Sequence, residues 1–258
     1  MPVITLTTDL GYNGFYVAAI KGSIISQLPD TQVVDVTHAI PSYNIAEAAF
    51  TLKNAYPYFP PGSIHMVCVD NNYDPNARFI AVLYDGHYFL GPDNGLFSLM
   101  MDKKPELIFK IGLRLMNDPQ HFPIRDILAK AAVHLARGGK MELIGRKMSD
   151  MNYRTVLQPI IQPDLIRGSV IYVDSFSNVI TNITKPVYKE VGKDRPFSIV
   201  FKRSETIEEI SNSYSDVPEG EKLCLFGITG NLEIAINKGK ASGLLGLHLG
   251  DIITVQFQ

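Results

Sequence analysis

Cysteine is scarce in this 258-residue chain: there are only two, Cys68 and Cys224. Both stand in apolar runs ("HMVCV", "KLCLF"), with no CxxC pair and no Cys/His cluster. That pattern favours buried reduced thiols and argues against a structural zinc site. No apolar run approaches the roughly 20 residues that a membrane helix needs. The opening "MPVITLTTDLG" lacks a basic stretch followed by a long apolar one, so a secretory leader is not expected. Basic side chains do not gather. "KGK" and "DKK" are too short to form patches, and the net charge is −2. Neither a nucleic acid nor an anionic membrane is the expected partner. There is no GxGxxG, GxxxxGK[ST], GxSxG or HExxH, so the dinucleotide, P-loop, serine-hydrolase and zinc-peptidase readings lack support. No internal repeat or low-complexity segment stands out. The expectation is a reduced, soluble, cytoplasmic protein with no metal.

What is present is an ordinary globular composition, 46% apolar and 19% charged, over a length that suits one large domain or two smaller ones. The first half alternates. "VITLTTD", "QVVDVTH", "IHMVCVD", "FIAVLYD" and "HYFLGPDN" read as strands. "FYVAAIKGSIISQL", "NIAEAAFTLKNAY" and "IRDILAKAAVHLARG" read as helices. This predicts an α/β domain over 1–158, with a mixed, mostly parallel sheet and helices on both faces. After "LQPIIQPDLI", a linker or edge segment, come short runs separated by turns: "GSVIYVD", "NVITNI", "FSIVF", "KLCLFGI", "LEIAIN" and "DIITVQF". They predict an all-β, barrel-like domain over 165–258.

Ligands of open α/β sheets bind beyond the carboxyl ends of the strands. The polar loops there are "TDLGYNG", "DVTHAIPS", "VDNNYD" and "GPDNG". Asp9 can accept two hydrogen bonds from a vicinal diol such as ribose, or it can be a turn or capping residue. Asp35 and His38 form either a site pair or a loop-shaping turn. Tyr43 can stack on a base or be a plain tyrosine. Asp70 closes an apolar strand, where partial burial would suit it to orient or deprotonate a water. Arg78 can pair with Asp70 or make a structural ion pair. In "QHFPIRD", His121 is a candidate acid/base and Asp126 a helix cap. "GPDNG" has strong turn chemistry. In the second half, "VDSFSNVITNI" sets Asp174 and Asn178 around Phe176. An Asn amide can read an adenine edge and a Phe can stack on it, though all three also form turns. "FGITGNLEIAIN" resembles a hairpin with a Thr-Gly-Asn turn.

Together these segments resemble one family, the S-adenosylmethionine hydroxide adenosyltransferases, which are related to fluorinase and chlorinase. The resemblance rests on "TTDLG", "YVAAIKGSI", "VVDVTHAIP", "AYPYFPPGSIHMVCVD", "FLGPDNGLFS", "IYVDSFSNVITNI", "YSDVPEG" and "GNLEIAINKGKA", in that order along almost the whole chain. It implies a homotrimer with nucleoside sites between subunits. It also implies displacement of methionine from the ribose C5′ of S-adenosylmethionine by water, giving adenosine and L-methionine. S-adenosylmethionine is then the substrate, and no cofactor is needed. By the same resemblance Asp9 grips the ribose and Tyr43 flanks the nucleoside. Asn178 takes the adenine edge with Phe176 beside it, and Asp174 lies near the methionine end. Tyr73, Phe122 and Thr229 fall at further substrate-binding positions.

The water-handling half departs from the pattern. The family loop usually reads VDPGVGT-x-RR, whereas this chain has "VDNNYDPNAR". Asp70 is kept, the usual catalytic Arg falls on Ala77, and Arg78 matches the second Arg. The usual "FHGRD" is "FPIRD", so the catalytic His falls on Pro123, two residues from His121. An Asp that helps hold the methionine amine falls on Gly14, and a Ser pair falls on Ile228 and Thr229. Ile124 and Tyr73 stand near where a halide pocket would be expected. The resemblance therefore implies a hydrolase with catalytic residues Asp70, Arg78 and His121. The alternatives are an enzyme for another 5′-substituted adenosine, or a nucleoside-binding protein without catalysis.

Overall fold

The computed structural model describes residues 2–70, 77–112, 122–201 and 205–258. The chain divides into two compact units, Met1–Thr155 and Val156–Gln258.

The first unit is built on seven strands: β1 (Ile4–Thr8), β2 (Val33–Thr37), β3 (Ile64–Cys68), β4 (Phe79–Tyr84), β5 (His87–Pro92), β6 (Leu107–Ile111) and β7 (Gly145–Lys147). Their order in the sheet is β2-β1-β3-β5-β4-β6-β7. β2, β1, β3 and β5 run parallel, and β4, β6 and β7 extend the sheet antiparallel. The helices are α1 (Tyr16–Ile25), α2 (Ile45–Ala55), α3 (Leu96–Met100) and α4 (Ala129–Ala136), the last preceded by a π-type turn over Ile124–Leu128.

Side chains alternate faces along a strand. Met66 and Cys68 of β3 therefore pack with Ile20 and Ile24 of α1 and Val133 of α4. Val67, between them, joins Leu52 of α2 and Phe97 of α3 on the opposite face. Both faces are covered, which is why "HMVCV" reads as an unbroken apolar run and not as an alternation. Gly91 shows how close the strands lie: a Cβ there would sit 2.7 Å from the Val67 carbonyl oxygen. On the face toward α2, Thr5 Oγ1 meets His65 Nδ1 at 2.8 Å, and His65 Nε2 meets His87 Nδ1 at 3.1 Å. Burial, with His87 adjacent, pushes the His65 imidazole down to about 3.

Local signals match their elements. Asn44 caps α2 by accepting the Glu47 amide. Gly138 follows α4 with φ 78°. Asp126 lies within the π-type turn and accepts the Phe122 amide at 3.3 Å, so it ties the entry segment to the helix. Pro123 precedes that turn at φ −55°, a helical value that proline holds without loss at a helix start.

The second unit contains β8 (Ile160–Gln162), β9 (Leu165–Val173), β10 (Val179–Thr184), β11 (Phe197–Phe201), β12 (Glu205–Ile207), β13 (Lys222–Phe226), β14 (Asn231–Ile236) and β15 (Ile252–Phe257). It also holds α5 (Lys185–Gly192) and α6 (Ala241–Leu245). The strands follow the path β12-β11-β15-β9-β10-β14-β13, with β8 on β9, and every pairing is antiparallel. Residues after β12 bond back to β13: the Ser211 amide donates to the Cys224 carbonyl and the Cys224 thiol to the Glu209 carbonyl. The sheet is thereby nearly closed around one core that includes Ile166, Ile199, Ile234 and Val255. The β13–β14 turn differs from the Thr-Gly-Asn expectation. It spans residues 227–230, because Gly230 takes the left-handed position (φ 73°) while Asn231 already pairs with Thr184 and Leu232 with Phe226. Both cysteines are free and buried. Among the described residues no helix is long and apolar enough to cross a membrane.

Candidate functional site

In the first unit, three loops converge where parallel strands end, and one carboxylate ties them together. Asp9, the residue after β1, accepts the Tyr43 amide at 3.0 Å and the Asp70 amide at 3.2 Å, both on Oδ2. Tyr43 and Asp70 each sit at positive φ, 66° and 55°. Such backbone is unfavourable by about 1 kcal/mol for a residue with a Cβ. A charge-assisted bond of roughly 1.5–3 kcal/mol to each amide more than offsets that strain. Among the described residues Asp9 Oδ1 carries no further hydrogen bond. The Tyr43 side chain is 67% exposed.

Asp70 is half-buried at the end of the strand run and follows Val69, whose carbonyl accepts from Asn94 Nδ2 at 3.1 Å. The "GPDNG" turn therefore braces the Asp70 loop. It also takes Arg78: the guanidinium pairs with the buried Asp93 carboxylate and donates to Asn152 Oδ1 at 3.3 Å. Arg78 thus makes a structural ion pair, with Asp93. Phe122 packs edge-on to Tyr16 at 5.6 Å, and Tyr16 leans on Phe15 at 4.5 Å, making an aromatic shelf near the start of α1. Tyr73 and His121 lie outside the described residues. Among the described residues no backbone amide donates to the side chain of Asp35 or His38. Their side chains meet each other, and His38 meets Thr8. Burial raises the Asp35 carboxyl, but its bonds to Lys21 and His38 lower it further, and the net shift is downward.

In the second unit the β9–β10 loop is organised locally. Asp174 Oδ1 accepts the Phe176 amide at 2.9 Å and the Asn178 amide at 2.8 Å, and Oδ2 accepts Asn178 Nδ2 at 3.1 Å. Ser177, at φ 68°, completes the turn. The Phe176 ring projects outward, 76% exposed, while Asn178 is buried. Thr229 lies in the β13–β14 turn, its hydroxyl accepting the Asn231 amide at 3.3 Å. Ile228 beside it is 89% exposed.

One ionisable residue in this unit escaped the sequence reading. Glu233 of β14 is buried and accepts a 2.6 Å bond from the Tyr214 hydroxyl. Burial raises its carboxyl, the Tyr214 bond lowers it and the nearby Asp174 raises it, for a net upward shift. The signal was present: a lone Glu inside "LEIAI" on an inward strand. No cluster among the described residues could hold a metal ion.

Comparison with known proteins matches both units to one family. Residues 4–145 match the model of the SAM hydroxide adenosyltransferase N-terminal domain, and residues 168–254 match the C-terminal domain model. An (R)-S-adenosyl-L-methionine hydrolase of Methanocaldococcus jannaschii is 31% identical, covering 99% of this chain and 96% of that protein. A hydrolase of the same name from Thermus thermophilus is also 31% identical, over 97% and 98%. A fluorinase of Nocardia brasiliensis is 25% identical over 74% of each. The crystal structure of a conserved protein of Thermotoga maritima superposes with a TM-score of 0.90 at 29% identity, covering 98% of this chain and 99% of that one.

Proposed function

Since the chain belongs to the SAM hydroxide adenosyltransferase family, we propose that it hydrolyses S-adenosyl-L-methionine to adenosine and L-methionine. Water attacks the ribose C5′ and the C5′–sulfur bond breaks. The electron pair goes to sulfur, which leaves as a neutral thioether, and one water proton is released. The sulfonium is already a good leaving group. The protein's task is therefore to hold C5′ in line with a water and to exclude competing solvent.

The observation that carries this reading is Asp9 as a tie between the Tyr43 and Asp70 loops. The group that would grip the ribose also sets the backbone of the residue that would handle the water. Asp9 Oδ1 takes the ribose hydroxyls and Tyr43 flanks the nucleoside. Asp70 orients the attacking water and draws its proton, with His121 as the second acceptor. Arg78, engaged by Asp93 and Asn152, contributes by holding the chain just ahead of β4. Phe176 stacks on the base, Asn178 and Thr229 border it, and Asp174 fixes the loop of Phe176 and Asn178. Tyr73 and Phe122 line the 5′ side. The same reading carries a homotrimer, with nucleoside sites between subunits, in the reducing cytoplasm that suits two free thiols.

The test uses the purified chain with each sulfonium epimer of S-adenosyl-L-methionine, following adenosine by liquid chromatography. Adenosine from either epimer, lost in Asp70→Asn, supports hydrolysis, and the preferred epimer states the stereochemistry. Tight adenosine binding without turnover of either epimer would sink the hydrolase reading in favour of a nucleoside binder. Ala77 and Pro123, at the usual Arg and His positions, are what that outcome would trace to. Sedimentation velocity checks the trimer.

A further inference from the structure

Next to Asp9 lies a buried polar chain that the hydrolysis scheme above does not use. β1 and β2 start in simple register, with Ile4, Thr5 and Leu6 level with Val33, Val34 and Asp35. The register then slips, so that Thr7 faces Thr37. The extra residue is a bulge that advances β2 by one position, and bulges re-aim side chains. Without it His38 would stand level with Asp9. With it His38 reaches Thr8, and His38 Nδ1 lies 2.8 Å from Thr8 Oγ1. Thr8 is fully buried and His38 is 1% exposed.

The imidazole meets a carboxylate, a hydroxyl and an aromatic ring. Nε2 lies 3.1 Å from Asp35 Oδ1, off the line of a full hydrogen bond but within direct electrostatic contact. The other Asp35 oxygen takes Lys21 Nζ of α1 at 2.6 Å. Tyr12 covers the ring edge-on at 5.4 Å, and its hydroxyl oxygen accepts the His38 amide at 3.4 Å. A carboxylate beside Nε2 favours the tautomer with its proton there. Nδ1 is then the acceptor and the Thr8 hydroxyl donates to it. Thr8 Oγ1 keeps a lone pair for the Leu10 amide, 3.3 Å away. The His38 carbonyl in turn accepts the Gly11 amide at 2.8 Å. The Leu10 and Gly11 amides, which directly follow Asp9, are thus held by Thr8 and His38.

This matters because the Asp9 oxygens have different duties. Oδ2 is committed to the Tyr43 and Asp70 amides, so the sugar must be met by Oδ1. A small rotation of the Thr8–Leu10 segment would spoil one duty or the other. We propose that His38, acting through Thr8, is a positioning residue for Asp9: it fixes how the carboxylate meets the ribose hydroxyls and thereby sets selectivity for a ribonucleoside. The inference rests on Asp9 gripping the ribose.

Titration calorimetry on the full chain with adenosine and 2′,3′-dideoxyadenosine measures that selectivity as a ratio of dissociation constants. Thr8→Val keeps the branched shape and loses only the hydroxyl. It should lower the ratio roughly tenfold, and His38→Leu should do the same, while Thr8→Ser keeps the wild-type ratio. The Thr8→Val/His38→Leu double variant should lose no more than either single, as members of one chain do. Equal weakening of both ligands, with the ratio unchanged, is what a purely structural role gives, and it would overturn the proposal. Asp9→Asn separates the two readings. A ratio that collapses there but not in Thr8→Val removes the positioning role alone. A ratio unmoved in Asp9→Asn removes the ribose reading and the positioning role with it. If His38→Leu does not fold, Thr8→Val against Thr8→Ser decides the matter.

Discussion

Asp9 and Asp174 use the same chemistry at very different range. Each carboxylate accepts backbone amides and so shapes a loop. The amides Asp174 accepts belong to Phe176 and Asn178, two and four residues on. Those Asp9 accepts belong to Tyr43 and Asp70, 34 and 61 residues on. Asp174 therefore builds a turn that any short peptide of that sequence would favour. Asp9 records that three strands have already assembled in one register. Loss of Asp174 should loosen one loop, whereas loss of Asp9 should release two loops and leave two left-handed residues without the bonds that stabilise them.

The sharpest way to break that comparison is to remove each carboxylate in turn. Asp9→Ala should weaken adenosine binding by roughly 100-fold or more, since two charge-assisted bonds disappear. Asp174→Ala should weaken it by only about tenfold. A reversed order in calorimetry would mean that range does not decide the effect. Asp70→Asn keeps the amide that Asp9 holds and removes the charge, so it isolates chemistry from architecture. Turnover should fall by about 10²–10⁴-fold with adenosine affinity unchanged, and a matching loss of affinity would mean the Asp70 side chain also shapes the loop.

Arg78 tests the architecture from the other side of the segment. Arg78→Met strands the buried Asp93 carboxylate, so thermal unfolding should show a loss of about 3 kcal/mol. The Arg78→Met/Asp93→Asn pair should recover much of it. No loss in the single variant would mean the ion pair does not anchor the loop. A pH-dependent effect lies in the His65 network, outside both sites. His65 is held neutral in the fold down to about 3, against 6.5 for an ordinary histidine. The unfolded chain therefore binds the proton first, and stability is full above pH 6.5 and falls as pH drops toward 3. His65→Phe, whose ring can stack on Phe89 as the imidazole does at 4.9 Å, should flatten that decline in a melting series from pH 7 to pH 4.

The α/β and all-β units, the Asn44 cap and the Asp174 turn were readable because each rests on neighbours within a few residues. Glu233 was readable in principle, as a charge in an inward strand. Three features were not. The partner of Arg78 in its ion pair, Asp93, follows from the packing of the "GPDNG" turn beside β4. His38 reaches Thr8 only because β2 slips one residue against β1. Asp9 joins the Tyr43 and Asp70 amides only because β1 lies between β2 and β3 in the sheet.

The residue pattern alone placed most of the strands and half of the helices, and it showed which loops carry polar chemistry and which family the chain resembles. Periodicity and turn chemistry act over a single helical turn or hairpin, and motifs are read along the chain. The partner of each buried charge and hydroxyl was decided by the tertiary structure, because strand order and register bring together groups tens of residues apart. A shift of one residue changes which side chains meet.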